Sequence, residues 1–335
     1  MLYGLGVSLR NLFFDLGLIK SEAFAIPIVS VGNMTTGGSG KTPIVMYLVE
    51  HFRRNNLTPV VVSRGYGRKS EGPVIVSDGQ GRIAGPQEGG DEPVMIAEYY
   101  PEVPVIVAER RVTAVRLAIE RFRPDLIILD DAFQHRYVMR DCDIVLLDAN
   151  RNLRREWLLP AGNRRELLHA LKRADIFIYT KADIPDNIDH FNLRAISGSD
   201  IFYMQFIPVH YRDFFSGDKI EVSLLAGASV LAFTGIARPD NFRQMLIAQG
   251  VSVNYFKKFP DHYNYTLHDI RALSDLAHKF DCTYLVTTAK DAVKLKKGDF
   301  DGQKVLILEV QPTFSGGADL GQKVLEYIDK GILSD

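Results

Sequence analysis

Val31-Gly32-Asn33-Met34-Thr35-Thr36-Gly37-Gly38-Ser39-Gly40-Lys41-Thr42-Pro43 decides the fold. An apolar run at 26–31 precedes it and a helix-like run at 44–52 follows. Strand, glycine-rich loop and helix in that order are the setting of a phosphate-binding loop. The glycines at 37, 38 and 40 carry no Cβ, so backbone N–H groups can turn toward phosphate oxygens. The helix N-terminus behind them adds partial positive charge. With Thr35, Thr36 and Ser39 they form a candidate nucleotide-binding stretch. Lys41 would reach the β- and γ-phosphates, and the Thr42 hydroxyl would coordinate Mg²⁺. The strict pattern has Gly where this chain has Thr35. An ordinary glycine turn is the competing reading, and the Gly-Lys-Thr ending weighs against it.

Outward from the loop, candidate strands at 26–31, 59–63, 74–76, 103–108, 126–130, 144–148 and 176–179 alternate with candidate helices at 43–55, 92–100, 110–121 and 165–173. Several of the strands are continuous apolar runs, as in parallel strands buried on both faces. The order predicts an α/β fold with a phosphate-loop parallel sheet, right-handed crossovers and ligands at the carboxyl ends of the strands. From about residue 200 the texture changes. Runs at 201–210 and 220–224 flank a Ser-Gly-Asp turn and predict a hairpin. A second alternation follows, with strands at 230–233, 251–256, 284–287 and 305–310 and helices at 239–249 and 267–279. The expected organisation is an N-terminal helix in 1–22, a phosphate-loop domain in 23–200, a hairpin linker in 201–225 and a smaller α/β lobe in 226–335. Two lobes joined by a ribbon suggest a cleft that opens and closes.

Composition narrows the classes. A chain of 335 residues suits about two domains, and 46% hydrophobic with 24% charged residues is ordinary for a globular protein. A net charge of -1 supplies no global field for nucleic acid. Cys142 and Cys282 lie outside any metal-ligand spacing. Leu2, Leu5, Leu9, Leu12, Leu16 and Ile19 recur at three- and four-residue steps, as on one helix face that Val7, Phe13, Phe14 and Leu18 widen. Arg10 and Asp15 interrupt the run, which argues against a membrane span, and no small-residue cleavage site suggests a signal peptide. Two readings stand: a core helix packed on the first domain, or an amphipathic helix lying in a membrane interface. The wide apolar face favours the second.

Several short segments carry candidate chemistry. The apolar strand 126–129 ends in Asp130-Asp131, where a carboxylate would complete a Mg²⁺ site; strands also end in Asp for turn reasons. Arg64, in Ser63-Arg64-Gly65-Tyr66-Gly67, would hold phosphate or substrate charge, or sit solvated in a tight turn. Asp91, in Gly89-Gly90-Asp91-Glu92-Pro93, reads as a helix N-cap, with a general base facing the γ-phosphate as the sharper alternative. His262, in Asp261-His262-Tyr263, is a loop histidine that reads as a surface residue or as a partner for a carboxylate. Thr180-Lys181-Ala182-Asp183 looks like the purine-reading Asn-Lys-x-Asp box with Thr for Asn, Thr288-Ala289-Lys290-Asp291 has a similar look, and either reads also as a plain strand-to-helix turn.

Together these segments resemble the bacterial lipid A 4′-kinases (tetraacyldisaccharide 4′-kinases). The likeness rests on VGNMTTGGSGKTP, SRGYG, GGDEP, DDAFQHR at 130–136, PAGNRRE at 160–166, FTGIARPDNF at 233–242, FPDHYNYT at 259–266 and TTAKDAVKL at 287–295, in family order. Thr35 matches this family's own form of the loop. The resemblance implies transfer of the γ-phosphoryl of ATP, with Mg²⁺, to the 4′-hydroxyl of a tetraacyl glucosamine disaccharide 1-phosphate. It implies work at the cytoplasmic face of the inner membrane, with the N-terminal helix at the membrane surface. No obligate protein partner is evident. It implies that Asp91 and His262 act as a base pair, that Mg²⁺ is held by Thr42 and an acid of the Asp130–Asp131 pair, and that Gln134 and His135 contact metal-bound water or substrate. Ala132 stands where the family has Gly, and Arg164-Arg165-Glu166-Leu167 where it has Leu-Arg-Glu-Pro, which puts any role of Glu166 in question. A GTPase or metallochaperone of the same broad fold, and a nucleotide-gated membrane adapter, are the rival readings.

Overall fold

The computed structural model describes residues 2–38, 40–180, 199–300, 302–315 and 319–332. The chain forms two units. The first takes Met1–Gly89, Ile96–Gln205 and Pro312–Asp335, and the second takes Gly90–Met95 and Phe206–Gln311. Residues 312–335, expected with the smaller lobe, therefore belong to the first unit.

In the first unit the strands are β1 (Ile28–Asn33), β2 (Pro59–Ser63), β3 (Val74–Asp78), β4 (Pro104–Val107), β5 (Leu126–Asp130), β6 (Cys142–Asp148), β7 (Ile176–Thr180) and the start of β8 (Asp200–Asp213). Their order is β8-β7-β6-β1-β5-β2-β4-β3. All pairings are parallel except that β3 runs antiparallel to β4 at the edge. β1, β2, β5, β6 and β7 are buried at every position, which explains why several of them read as apolar runs. Helix α1 spans Leu2–Asp15 and α2 spans Lys41–Arg54. α2 buries Ile44, Val45, Leu48, Val49 and Phe52, a stripe at helical spacing. Each such side chain contributes on the order of 1.5–3 kcal/mol by leaving water. The region expected as a helix at 165–173 is a 3₁₀ stretch at Leu168–Arg173. A helix over Leu320–Ile332 was not foreseen. It lies against α2, with Gly321 so close to the His51 ring that an added Cβ would stand 2.2 Å from it.

Helix α1 packs on this unit through Val7, Asn11 and Phe14, which are buried. Leu5, Leu9, Leu12, Phe13 and Leu16 stay exposed. The face expected as one apolar stripe is therefore divided between protein and surroundings. Among the described residues no helix is long and apolar enough to cross a membrane.

The second unit holds parallel strands in the order β11 (Ser252–Lys258), β10 (Ser229–Thr234), β12 (Tyr284–Thr288) and β13 (Val305–Ser315, up to Gln311). The later part of β8 pairs antiparallel with β9 (Lys219–Glu221), His210 facing Glu221, which is the hairpin read from the turn. Phe233, Leu231, Leu273, Leu285 and Ile307 lie in one apolar cluster beneath the helix Leu267–Lys279. That helix begins with a reciprocal cap between Thr266 and Asp269.

Candidate functional site

The loop after β1 takes the form its glycines allow. Gly37 has φ 101° and Gly40 φ 85°, left-handed values that a side chain resists. α2 starts at Lys41 directly after Gly40. Thr35 and Thr42 are buried, Gly37 and Gly38 are exposed, and Ser39 lies outside the described residues. A second loop braces the first. The Thr36 amide donates to the Asn163 carbonyl at 2.8 Å, the Thr36 hydroxyl bonds Asn163 Oδ1 at 3.1 Å, and the Arg165 amide donates to the Met34 carbonyl at 2.8 Å.

The two acids differ. Asp130 ends β5 beside Val31 of β1, is wholly buried, and accepts from the Ser63 hydroxyl at 3.0 Å. Asp131 turns the chain with φ 48°. Its carboxylate lies 3.4 Å from Lys41 Nζ and accepts from Arg165 at 2.8 and 3.1 Å. Burial pushes its pKa up, but Lys41 and Arg165 together outweigh that and hold it below the usual carboxylate range. Gly32 explains how close these segments come. A Cβ there would stand 2.5 Å from the Phe133 Cβ and 2.7 Å from its amide nitrogen. Thr42, Asp130 and Asp131 offer hard oxygen donors, the kind Mg²⁺ takes alongside phosphates and water. No cluster of three or more His, Cys, Asp or Glu side chains that could hold a metal occurs among the described residues.

Gln134 donates to the Asn33 carbonyl at 2.8 Å and accepts from Arg165 at 3.4 Å. His135 stands 5.4 Å from the Tyr137 ring, and its Nε2 is buried without a hydrogen-bond partner among the described residues. Burial first, then Arg111, Arg140, Arg10 and Arg64, push its pKa down to about 3, so the ring is neutral. Arg64 itself is exposed. Two residues at this centre were not singled out from sequence. Arg165 was hidden in an arginine-rich run, and Arg111, buried and bonded to the Asp131 carbonyl at 3.3 Å, opens the helix expected at 110–121.

Glu166 gains a role that the altered motif had put in question. Its side chain is 0% exposed and accepts from Arg10 at 3.1 Å, Asn11 at 3.3 Å and Arg173 at 3.0 Å. It therefore fastens α1 to the loop that carries Arg165. Leu167, in the place of the family's Pro, has φ -70°, a value that Pro would also take. Ala132, the other departure, is buried in the apolar core.

A separate cluster lies in the second unit. His262 Nδ1 is 3.1 Å from Asp91 Oδ2, across 171 positions of sequence. Asp91 is the first residue of the helix Asp91–Tyr99, after Gly90 at φ 86°. His262 has φ 59°; among the described residues it and Asp131 are two of five non-glycine residues with positive φ. Backbone held in such a costly region gathers at functional sites. Lys290 Nζ reaches Glu92 Oε1 at 3.1 Å and His262 Nε2 at 3.2 Å, and Lys294 Nζ lies 3.6 Å from Asp91.

The purine-box reading of Thr288–Asp291 is overturned. Asp291 is buried and accepts from the Thr234 hydroxyl at 2.6 Å, the Gly235 amide at 3.1 Å, the Tyr265 hydroxyl at 2.9 Å and the Thr288 hydroxyl at 2.7 Å. Its oxygens are committed to holding the fold and face no base. Of the other box, Thr180 ends β7 and residues 181–183 lie outside the described residues.

A parallel sheet with a glycine loop after its central strand, a lysine at the following helix start and an acid ending the neighbouring strand defines a phosphate-loop nucleotide-binding protein. The model of the family described as Tetraacyldisaccharide-1-P 4'-kinase (LpxK) matches residues 1–329. A tetraacyldisaccharide 4'-kinase of Chlorobium luteolum is 36% identical over 98% of this chain and 95% of its own length. One of Syntrophus aciditrophicus is 39% identical over 88% and 82%. The crystal structure of LpxK from Aquifex aeolicus in complex with ATP superposes with a TM-score of 0.79 at 32% identity, covering 98% of this chain and 96% of that one. The chain belongs to the tetraacyldisaccharide-1-P 4'-kinase family.

Proposed function

We propose that this kinase moves the γ-phosphoryl of ATP to the 4′-hydroxyl of a tetraacyl glucosamine disaccharide 1-phosphate, giving the bis-phosphorylated lipid A precursor. Family membership over nearly the whole chain supports the reaction. The observation that carries the residue assignment is the Asp91–His262 pair at 3.1 Å, a carboxylate held against an imidazole. Phosphoryl transfer depends on positioning and charge neutralisation more than on covalent chemistry by the protein. The 35–42 loop holds the triphosphate, and Lys41 neutralises its terminal charge. Thr42 with Asp130 or Asp131 would hold Mg²⁺, which would supply neutralisation of phosphate charge. Asp91 takes the proton from the 4′-hydroxyl as that oxygen forms its bond to the γ-phosphorus and the bond to the ADP oxygen breaks. His262 orients the carboxylate. Arg64 is assigned to the 1-phosphate of the sugar or to the ATP phosphates, and Gln134 and His135 to metal-bound water or substrate.

The exposed row Leu5, Leu9, Leu12, Phe13 and Leu16 supports a place at a membrane surface, where the acyl chains remain in lipid while the headgroup enters the site. The cytoplasmic face of the inner membrane is the side where ATP is available.

The test is transfer of label from γ-labelled ATP to detergent-dispersed tetraacyl disaccharide 1-phosphate with Mg²⁺. Wild type labels the lipid. Asp91→Asn loses about 10²-fold or more in rate while still binding ATP, the range a positioned base supplies. A folded, ATP-binding wild type that labels no lipid would sink the proposal.

A further inference from the structure

The Asp91–His262 pair does not stand alone, and what surrounds it decides where the ring proton sits. Charged groups reach this pair from several directions. Asp91 and Glu92 come from the start of the helix Asp91–Tyr99, and Asp261 comes from the loop of His262 itself. Lys290 comes from the short helix Ala289–Ala292, and Lys294 follows it. Lys290 Nζ lies 3.2 Å from His262 Nε2, 3.1 Å from Glu92 Oε1 and 3.7 Å from Asp261 Oδ1. An ammonium has three donors and no acceptor. The ring nitrogen facing it must therefore present a lone pair. A neutral imidazole with its lone pair on Nε2 carries its proton on Nδ1, and Nδ1 is the atom 3.1 Å from Asp91 Oδ2.

We propose that Lys290 is a positioning residue that sets the tautomer of His262, so that the ring keeps its lone pair on Nε2 and donates from Nδ1 to the Asp91 carboxylate. The inference rests on the reading of Asp91 as the base. Burial works against the charge on Lys290, but Glu92 and Asp261 outweigh it and raise its pKa, so the side chain stays an ammonium. Two consequences follow for the reaction. A donated hydrogen bond stabilises the ionised carboxylate that must receive the sugar proton. A fixed ring also leaves one Asp91 oxygen free of His262, since the 3.1 Å contact engages Oδ2. Lys290 thereby links the Asp91–Glu92 turn to the His262 loop through a single cation. Asp291, the next residue, holds the Lys290 backbone in place through bonds from Thr234, Gly235, Tyr265 and Thr288.

The test uses the full chain with ¹⁵N-labelled histidine, the His262 ring being assigned by comparison with His262→Gln. At alkaline pH, where an imidazole is neutral, wild type shows protonated Nδ1 and unprotonated Nε2. Lys290→Met loses this bias and shows mixed or reversed tautomers. In the transfer assay its kcat falls about 10²-fold while the KM for ATP stays within about twofold. Lys290→Arg, which keeps the donor, retains the wild-type tautomer and most of the rate. A wild-type ring protonated on Nε2, or the same tautomer in wild type and Lys290→Met, overturns the proposal. The wild-type spectrum alone is decisive should Lys290→Met fail to fold. Undiminished transfer by Asp91→Asn would instead overturn the base assignment and leave the tautomer result standing.

Discussion

Replacing Glu166 by Gln keeps the side-chain shape and removes one charge, so no cavity is made and the electrostatic contribution is read by itself. The carboxylate is 0% exposed and holds two cations, Arg10 at 3.1 Å and Arg173 at 3.0 Å, together with Asn11 at 3.3 Å. Removing one partner of a buried ion pair costs about 3–5 kcal/mol, because the other charge stays buried and uncompensated. The two arginines differ in what remains to them. Arg10 is one-third exposed and can turn to water. Arg173 keeps the Phe133 carbonyl at 3.2 Å and the Phe133 ring at 4.5 Å. These residual contacts put the expected loss for Glu166→Gln near the bottom of the range, about 3 kcal/mol. At roughly 2–4 °C per kcal/mol this lowers Tm by about 6–12 °C. Urea unfolding supplies the free energy, and limited proteolysis after residue 15 reports whether α1 comes free first. In Glu166→Gln/Arg173→Met both partners are gone, so the double variant is expected to be less destabilised than the sum of the singles by about 1–3 kcal/mol. A Glu166→Gln protein within about 0.5 kcal/mol of wild type, or strictly additive single variants, would refute the account of Glu166 as the fastening of α1.

Three further outcomes are expected. Gly32→Ala places a methyl 2.5 Å from Phe133 Cβ, where ordinary contact begins at 3.4 Å, so the 130–134 segment must give way by most of an ångström; overpacking of this kind costs about 1–3 kcal/mol, and ATP affinity measured by calorimetry falls with it. His135 has a folded pKa of about 3 against 6.5 when unfolded, so its contribution is present above pH 6.5 and is lost as pH falls toward 3. Between pH 6.5 and 5 that is at most about 2 kcal/mol, or about 1 after allowance for the ring's partial exposure, and unfolding of His135→Gln should lack this slope. Leu9→Asn/Leu12→Asn/Leu16→Asn removes exposed apolar surface, so binding to phospholipid vesicles in a flotation assay drops several-fold while Tm stays within about 2 °C; unchanged flotation would count against the membrane reading of α1.

What the sequence disclosed depended on the range of each interaction. The loop at 31–43 was legible because strand, glycines and helix lie within a few residues of one another, and each is dictated by local sterics. β5 and its terminal acids were legible for the same reason. The Asp91–His262 pair spans 171 positions, and nothing local couples the two; only the family likeness brought them together. Lys290 was read as part of a base-recognition box, because the short segment from Thr288 to Asp291 looks like one. Their hydrogen bonds are spent on the Gly235 turn and the Tyr265 hydroxyl, a use that no spacing rule displays. Glu166 lies 155 positions from Asn11, and burial of a charge can be recognised only when its counter-ions are in place. The antiparallel edge strand β3 and the return of residues 312–335 to the first unit are likewise matters of pairing partner.

That return bears on how the chain matures. Residues 90–95 and 206–311 interrupt the first unit, so its sequence is translated in three instalments. The helix Leu320–Ile332 is made in the last of them, yet Gly321 fits against His51 of α2, Tyr47 bonds Asp319 at 3.1 Å, and Tyr327 bonds Asp200 at 3.0 Å. The nucleotide-loop sheet thus emerges from the ribosome long before the element that covers α2. Until residues 312–332 arrive, nascent chains expose part of that flank to chaperones and proteases. A chain stopped in the second unit carries every residue of the phosphate loop and still lacks the helix that covers α2.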